Sequence, residues 1–191
     1  MEEEDSGVLT VKTERQILRQ HRIVALVGEI GSRLACRFAE DMSLLMLMSK
    51  DPITIIISSN GGEVEYGLAC VRAIHKAQQE GIHITGEVHG CAMSMAFLIL
   101  QCCDKRTMGK PDVLMSHGFT TFTIGDMRNL ESERKLLKIW QEYFANLIAR
   151  RCVVEEYLNP NYWLPIMADN TPLFYSSEEC LKMGLIDKVE S

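Results

Sequence analysis

One run of five residues, Ile53-Thr54-Ile55-Ile56-Ile57, constrains the fold of this chain more than any other stretch. All five side chains are β-branched, and apolar and polar residues do not alternate along the run. β-Branched residues favour strands, and a strand without alternation is typical of a parallel sheet covered on both faces. Parallel strands need long crossover connections, so the run predicts a helix before it and a helix after it.

Helical patterns do flank the run. Apolar residues recur every three or four positions from about Arg33 to Ser49, and the turn at residues 58–62 leads into a second predicted helix from Glu63 to about Gln79. Further strands are predicted at four places: Arg22–Val27, Ile82–Val88, Val113–Ser116 and Leu185–Val189. Strands that alternate with helices predict an α/β fold with right-handed crossovers.

Three further helices complete the predicted fold. The apolar stretch of residues 91–100 is interpreted as a buried helix that begins near Ala92, and Ser176 opens a short helix with acidic residues in its first turn. A long amphipathic helix is predicted over residues 126–151. The length of 191 residues suits one domain, which we assign to residues 13–191. Residues 1–12 begin with acidic side chains and are interpreted as a mobile tail.

Charge and composition argue against several classes of function. The 26 acidic residues outnumber the 20 basic ones, which argues against binding to nucleic-acid phosphates. The longest apolar stretch falls well short of the ~20 residues that cross a bilayer, and the acidic start does not match a secretory signal. The 7 cysteines form no C-x-x-C pair and mostly lie in apolar surroundings. We interpret them as reduced core residues of a cytoplasmic protein rather than as disulfides or zinc ligands.

The turn Asn60-Gly61-Gly62, between a predicted strand and a predicted helix, is the first candidate site. Paired glycines let the backbone turn tightly and leave N–H groups pointing outward, where they can bind a carboxylate, a phosphate or a developing oxyanion. The alternative is a β-turn without a chemical role, and the glycine pair alone favours that alternative.

Ser94 is the second candidate, since it lies near the start of a buried apolar helix that comes after a predicted strand. A nucleophile elbow presents its serine hydroxyl at such a junction, although the G-x-S-x-G motif of esterases is absent. The alternative is a helix-capping or small packing serine.

A nucleophilic serine needs a base, because its hydroxyl reacts poorly at neutral pH. His117 ends the strand Val113–Ser116, and sites form at strand ends in open α/β sheets, so His117 is the preferred base. His89 is a competitor. Asp169, in a polar loop, is the candidate carboxylate that orients the base, and its alternative interpretation is a turn or cap residue.

Four ordered motifs resemble those of ClpP, the proteolytic subunit of the Clp protease. Residues 59–64 read SNGGEV where the family has a strand ending in a Ser-Pro-Gly-Gly turn, and residues 90–95 read GCAMSM where it has Gly-x-Ala-x-Ser-Met. Residues 114–118 read LMSHG, and residues 177–187 read SEECLKMGLID, close to the family's Met-x-His and Tyr-Gly-Leu-Ile-Asp segments. The resemblance extends from about Arg22 to Val189.

The resemblance implies a role for each candidate residue. It identifies Ser94 as the nucleophile, His117 as the general base and Asp169 as the orienting acid, with Asn170 as the alternative. The backbone N–H groups of Gly62 and Met95 would form the oxyanion hole. The reaction would follow the serine–histidine–acid template through an acyl-enzyme, with no metal or cofactor.

The resemblance also implies an architecture and partners. The fold would be the ClpP/crotonase spiral of ββα units, with residues 126–151 as the protruding handle helix between two rings. The chains would form two stacked heptameric rings, a tetradecamer, around a closed chamber. An AAA+ unfoldase of the Clp type would use ATP to feed polypeptides through axial pores gated by residues 1–12. The divergent amino-terminal region would suit a phage-encoded or accessory member.

Two other functions remain open at the level of sequence. The first is a non-catalytic or regulatory ring subunit, which Met93 before the serine favours because it would crowd the site. Asn60 in place of the family's proline is a second departure, and it makes the turn less rigid. The other function is a crotonase-type acyl-CoA enzyme, in which Glu63 or Glu65 near the glycine turn would act instead of a serine.

Overall fold

The computed structural model describes residues 13–119 and 126–190, and within these ranges seven strands form one sheet. The strands are β1 (Ile23–Val27), β2 (Ile53–Ser59), β3 (Ile84–Met93), β4 (Lys105–Gly109), β5 (Val113–Ser116), β6 (Leu173–Ser176) and β7 (Lys188–Glu190). The order is β1-β2-β3-β4-β7 with all neighbours parallel. Strand β5 pairs in parallel with the end of β3, and β6 pairs with β5 in the antiparallel direction. The predicted α/β class is confirmed.

Eight helices accompany the sheet in the same ranges. They are α1 (Glu14–Gln20), α2 (Ser32–Met48), α3 (Val64–Gln79), α4 (Met95–Gln101), α5 (Met127–Ala149), α6 (Glu155–Leu158), α7 (Pro160–Ala168) and α8 (Ser177–Met183). The predictions for α2, α3, α5 and α8 are confirmed to within about two residues, whereas α1, α6 and α7 were not predicted. None of the described helices is long and apolar enough to span a membrane. The predicted tail and gate, residues 1–12, lies outside the described residues.

Strand β2 lies inside the sheet, with one face in the core. Ile53, Ile55 and Ile57 are fully buried, while Thr54 and Ile56 on the other face are half-buried. The buried face packs into one apolar cluster with side chains of α2, α3 and α4. The prediction of complete cover on both faces is therefore wrong for one face, because an isoleucine-rich run does not reveal how much of each face is covered.

Strand β3 is longer than the sequence predicts, and this changes the start of the helix that follows. The strand continues to Met93, and α4 begins at Met95, not near Ala92. Parallel pairing of residues 91–93 with β5 extends β3 beyond its partner β4. The prediction of one buried helix from residue 91 onwards is wrong for its first residues. Apolar residues that pair with β5 and apolar residues in a core helix are indistinguishable by hydropathy.

Helix α5 coincides with the long helix predicted over residues 126–151. Its N-cap is Asp126, whose side chain accepts hydrogen bonds from the N–H groups of Arg128 and Asn129. Its buried residues lie in the carboxyl-terminal part, between Phe144 and Ala149. Four apolar side chains nearer its start are exposed, namely Met127, Leu130, Leu136 and Ile139. The first turns of α5 thus project beyond the core of the described chain.

The cysteines behave largely as the composition suggests. All seven are free thiols, and five are buried: Cys70, Cys102, Cys103, Cys152 and Cys180. Burial raises the pKa of Cys103 to about 12, and the pKa of Cys180 rises to about 12 for the same reason. Such thiols are poor nucleophiles and act as small apolar core residues.

A buried charge network anchors the carboxyl-terminal strand to the sheet. Arg106 on β4 is 2% exposed, and its guanidinium makes two hydrogen bonds to the Asp187 carboxylate at 2.7 and 3.0 Å. A third guanidinium N–H donates to Gln101 Oε1 at 2.7 Å. Burial alone would raise the pKa of Asp187, but the hydrogen bonds and charge of Arg106 outweigh burial and hold that pKa below its usual value. The network fixes the start of β7 beside β4.

Candidate active site

Ser94 forms a strained junction between β3 and α4. Its backbone angles are φ 53° and ψ −122°, and Arg22 is the only other non-glycine residue with positive φ among the described residues. A side chain in this region of backbone space costs about 1–3 kcal/mol and persists only where the surrounding structure enforces it. Here β3 precedes the serine, and all seven residues of α4 after it are buried. This is the geometry of a nucleophile elbow, in which the serine is held away from both flanking elements.

The glycine turn packs directly against this elbow. A Cβ added at Gly61 would lie 2.7 Å from the Ser94 Cβ and 3.1 Å from the Met95 nitrogen. A Cβ at Gly62 would lie 2.3 Å from the Ile30 carbonyl oxygen. Gly61 and Gly62 also have φ values of 99° and 155°. Both positions therefore need glycine, for space as well as for conformation.

Hydrogen bonds to Ile30 orient the turn. The Ile30 N–H donates to the Gly61 carbonyl oxygen and the Glu63 N–H donates to the Ile30 carbonyl oxygen, both at 2.9 Å. These two hydrogen bonds form a parallel bridge in which Gly62 lies opposite Ile30. In a parallel bridge the residue between the two bonded neighbours points its own N–H away from the partner segment. The N–H of Gly62, an exposed residue, therefore faces away from Ile30. The Met95 N–H is the first of α4, where N–H groups have no acceptor within the helix. Two outward N–H groups thus lie on segments that touch at the elbow.

Strand β5 brings His117 to the same edge of the sheet. Met93 on β3 pairs with Met115 on β5, and the Ser94 N–H donates to the Met115 carbonyl oxygen at 2.9 Å. His117 follows β5 directly and is half-buried. Serine and histidine therefore emerge from adjacent, hydrogen-bonded segments, as the sequence predicts for strand ends.

The structure places Asn170, not Asp169, on the histidine ring. His117 Nδ1 lies 3.1 Å from Asn170 Oδ1. The Asp169 carboxylate instead accepts hydrogen bonds from the N–H and hydroxyl of Thr171, at 3.0 and 2.9 Å. These bonds hold the pKa of Asp169 below its usual value. Asp169 meets the histidine segment through its backbone, since its carbonyl oxygen accepts from the Gly118 N–H at 2.5 Å.

Strand β6, which was not predicted, explains why this segment lies beside His117. It pairs antiparallel with β5, with Leu173 opposite Ser116, so the preceding residues turn over the end of β5. The Ser116 and Tyr175 hydroxyls, both buried, lie 2.8 Å apart and join the two strands. The only sequence signal for β6 is the run Leu173-Phe174-Tyr175 between Pro172 and Ser176, which is too short to stand out.

The competing histidine lies elsewhere. His89 on β3 is exposed, with its Nε2 3.9 Å from a Glu87 carboxylate oxygen. It borders a cavity of about 370 Å³ that is also lined by Gly109, Asp112 and Glu190. His117 is the histidine that the fold brings to the serine segment, because it directly follows β5, whose Met115 carbonyl oxygen accepts the hydrogen bond from the Ser94 N–H.

An open cavity of about 510 Å³ lies next to the glycine turn. Its lining comprises Gly28 and Glu29 after β1, the segment from Ser58 to Gly62, and Cys91. Such a cleft at the carboxyl ends of parallel strands is a common place for a substrate in α/β folds. Within residues 13–119 and 126–190, no three His, Cys, Asp or Glu side chains are placed to hold a metal ion.

Comparisons with known proteins agree with this geometry at the level of the family. No curated protein matches the chain with significant similarity. The family model described as Clp protease matches residues 6–191, which is nearly the whole chain. With its seven-stranded α/β sheet, its serine elbow and its long, partly exposed helix, the chain belongs to the Clp protease family.

Proposed function

We propose that this chain is a serine endopeptidase subunit of a self-compartmentalising protease that cleaves unfolded polypeptides. The observation that carries the proposal is the strained backbone of Ser94, whose N–H donates to Met115 on β5, the strand directly before His117. A packing or capping serine does not need a positive φ, whereas a nucleophile gains access to substrate from it. Membership of the Clp protease family supports the same reaction class.

The proposed mechanism gives each of these groups a role. His117 takes the proton from the Ser94 hydroxyl through Nε2, the ring nitrogen that does not contact Asn170, as Ser94 Oγ attacks the scissile carbonyl carbon. The Gly62 and Met95 N–H groups stabilise the oxyanion that forms. His117 then gives the proton to the leaving amine. In the second half-reaction His117 deprotonates a water molecule that attacks the acyl carbon, the bond to Ser94 Oγ breaks, and His117 returns the proton to Oγ.

Family membership supports a proposal about assembly and partners. We propose that the chain forms stacked rings and receives polypeptides from an AAA+ unfoldase of the Clp type, which consumes the ATP. The exposed apolar side chains in the first part of α5 support a role in assembly, because an apolar patch on a surface helix marks an interaction site. The buried thiols are consistent with work in a reducing cytoplasm.

A non-catalytic ring subunit is the second candidate function. The neutral side chain on His117 favours it, because a carboxylate would stabilise the protonated histidine more strongly. Half-buried Met93 directly before the serine would also narrow the site. The strained Ser94 argues for catalysis, since a subunit without turnover gains nothing from the strain.

The test is peptide and protein hydrolysis by the purified assembly. Wild type should cleave a fluorogenic peptide and an unfolded protein, Ser94→Ala should lose at least about 10³-fold in kcat, and Ser43→Ala should keep full activity. Ser43 is a matched control because it is an exposed serine on α2. Equal activity of wild type and Ser94→Ala would contradict the proposal. Binding of coenzyme A would instead support an acyl-CoA enzyme.

A further inference from the structure

We propose that Asn170 is the positioning residue of His117. Its neutral carboxamide stands where the family resemblance predicts a carboxylate. The inference rests on the proposed function, because it assigns the third member of that same serine–histidine site. It replaces Asp169, whose side chain is engaged elsewhere.

The hydrogen bond between Asn170 and His117 selects one form of the imidazole. Asn170 Oδ1, 3.1 Å from His117 Nδ1, is a carbonyl oxygen and can only accept a hydrogen bond. Nδ1 must therefore carry the proton, and the lone pair of the neutral ring is on Nε2. Nε2 is the nitrogen that must accept the Ser94 proton, so Asn170 prepares the base before substrate arrives.

Two sets of hydrogen bonds made by Asp169 hold the loop that carries Asn170. On one side, the Gly118 N–H donates to the carbonyl oxygen of Asp169, and a Cβ at Gly118 would lie 2.7 Å from that oxygen. On the other, the Asp169 carboxylate binds the N–H and hydroxyl of Thr171 and closes a local turn. The contacts of Asp169 with Gly118 and Thr171 thus fix the shape of the loop. Asn170, which lies between Asp169 and Thr171 in the chain, is the residue whose side chain contacts the imidazole.

A carboxamide orients the histidine without matching its charge. When His117 takes the serine proton it becomes a cation, and a charged acceptor binds a cationic donor roughly twice as strongly as a neutral one. Asn170→Asp should therefore raise kcat at alkaline pH by about tenfold, because the cation formed in the transition state gains a charged partner. The carboxylate of Asn170→Asp also favours the protonated form of His117 in the resting enzyme. As pH is lowered, the activity of this variant should therefore begin to fall at a higher pH than the activity of the wild type.

The kinetic experiment compares Asn170→Ala, Asn170→Asp and Asp169→Asn in the assembled protein over a range of pH. Asn170→Ala should lower kcat by about 10–100-fold with little change in KM, because the base loses its orientation but substrate contacts remain. Asn170→Asp should restore activity to at least the wild-type level and move the acid limb upward. Asp169→Asn should change kcat less than about threefold, since an amide oxygen can still accept from Thr171.

A second measurement reports on the imidazole without requiring turnover. In protein labelled with ¹⁵N-histidine, the NMR shifts of the two ring nitrogens reveal which one carries the proton, and His117→Gln identifies the relevant signals. Wild type should show His117 protonated at Nδ1 at alkaline pH. Asn170→Ala should lose this preference, and Asp169→Asn should keep it.

The two measurements separate failure of this inference from failure of the proposed function. If the Nδ1 preference survives in Asn170→Ala, the inference is overturned whether or not the protein hydrolyses peptides. Loss of activity in Asp169→Asn, with full activity in Asn170→Ala, would overturn it and return the role to Asp169. If wild type has the Nδ1 proton but never reacts with a substrate, Asn170 positions the ring as inferred and the peptidase proposal fails.

Discussion

Replacing Ser94 by glycine should abolish activity and give a more stable protein than replacing Ser94 by alanine. The reference is Ser94→Ala, which removes the same hydroxyl but keeps a Cβ in the strained conformation of φ 53° and ψ −122°. Relief of that strain is worth about 1–3 kcal/mol, and the greater freedom of glycine in the unfolded chain offsets about 0.4–1 kcal/mol. Ser94→Gly should therefore exceed Ser94→Ala in free energy of unfolding by about 1 kcal/mol, or about 2–4 °C in Tm for a chain of this size.

The matched control is the same pair of substitutions at Ser43, an exposed residue inside α2. In an ordinary helix alanine is more stable than glycine by about 1 kcal/mol, so the order of the two variants should reverse between the sites. Urea and thermal unfolding by circular dichroism measure both pairs. If alanine is as stable as glycine at position 94, the strain argument is wrong and Ser94 is an ordinary junction residue.

Three other predictions follow from the site, the charge network and the family. Gly62→Ala should lose activity and stability together, because its Cβ would meet the Ile30 carbonyl oxygen at 2.3 Å, and unchanged hydrolysis would exclude Gly62 from the oxyanion hole. Asp187→Ala should cost about 1–2 kcal/mol, because it removes the anionic partner of buried Arg106, although water partly screens the Asp187 carboxylate, which is 39% exposed. The stabilisation by Asp187 should be complete above the pKa of an unfolded aspartate, about 3.9, and should be lost as pH falls through the lower pKa of the folded protein. Urea unfolding measures it: if Asp187→Ala lowers the free energy of unfolding equally at pH 7 and below pH 3, this prediction is wrong. Deleting residues 1–12 should change how fast peptides and proteins enter the assembly but not the fluorophosphonate reactivity of the site, and unchanged degradation would contradict a gate.

The sequence carries much of the fold because its strongest patterns are local. Isoleucine-rich β2, the helical period of α2 and the glycine that ends α8 each depend on residues close together in the chain. Strand β4 contains Lys105 and Arg106, so its polar composition hid a parallel strand that is stabilised by pairing with β3 and by the Asp187 network. Long-range pairing of this kind leaves no local periodicity to find.

The sequence motifs predict the serine and the histidine of the candidate site but not the residue that contacts the histidine ring. Ser94 and His117 lie at strand ends that the sequence reveals, and β3–β5 pairing brings their segments together. The choice between Asp169 and Asn170 depends on a loop whose position is set by β6 and by one backbone hydrogen bond from Gly118. A carboxylate was the chemically natural expectation, and only the folded loop shows its side chain bound to Thr171.

The most direct test of the central claim is intact-mass analysis after treatment with a serine-directed fluorophosphonate, on protein whose assembly is sized by light scattering. The account predicts one adduct per chain on wild type, none on Ser94→Ala and one on Ser43→Ala. An assembled ring that gains no adduct, or an adduct that persists on Ser94→Ala, would contradict the assignment of Ser94 as an activated nucleophile.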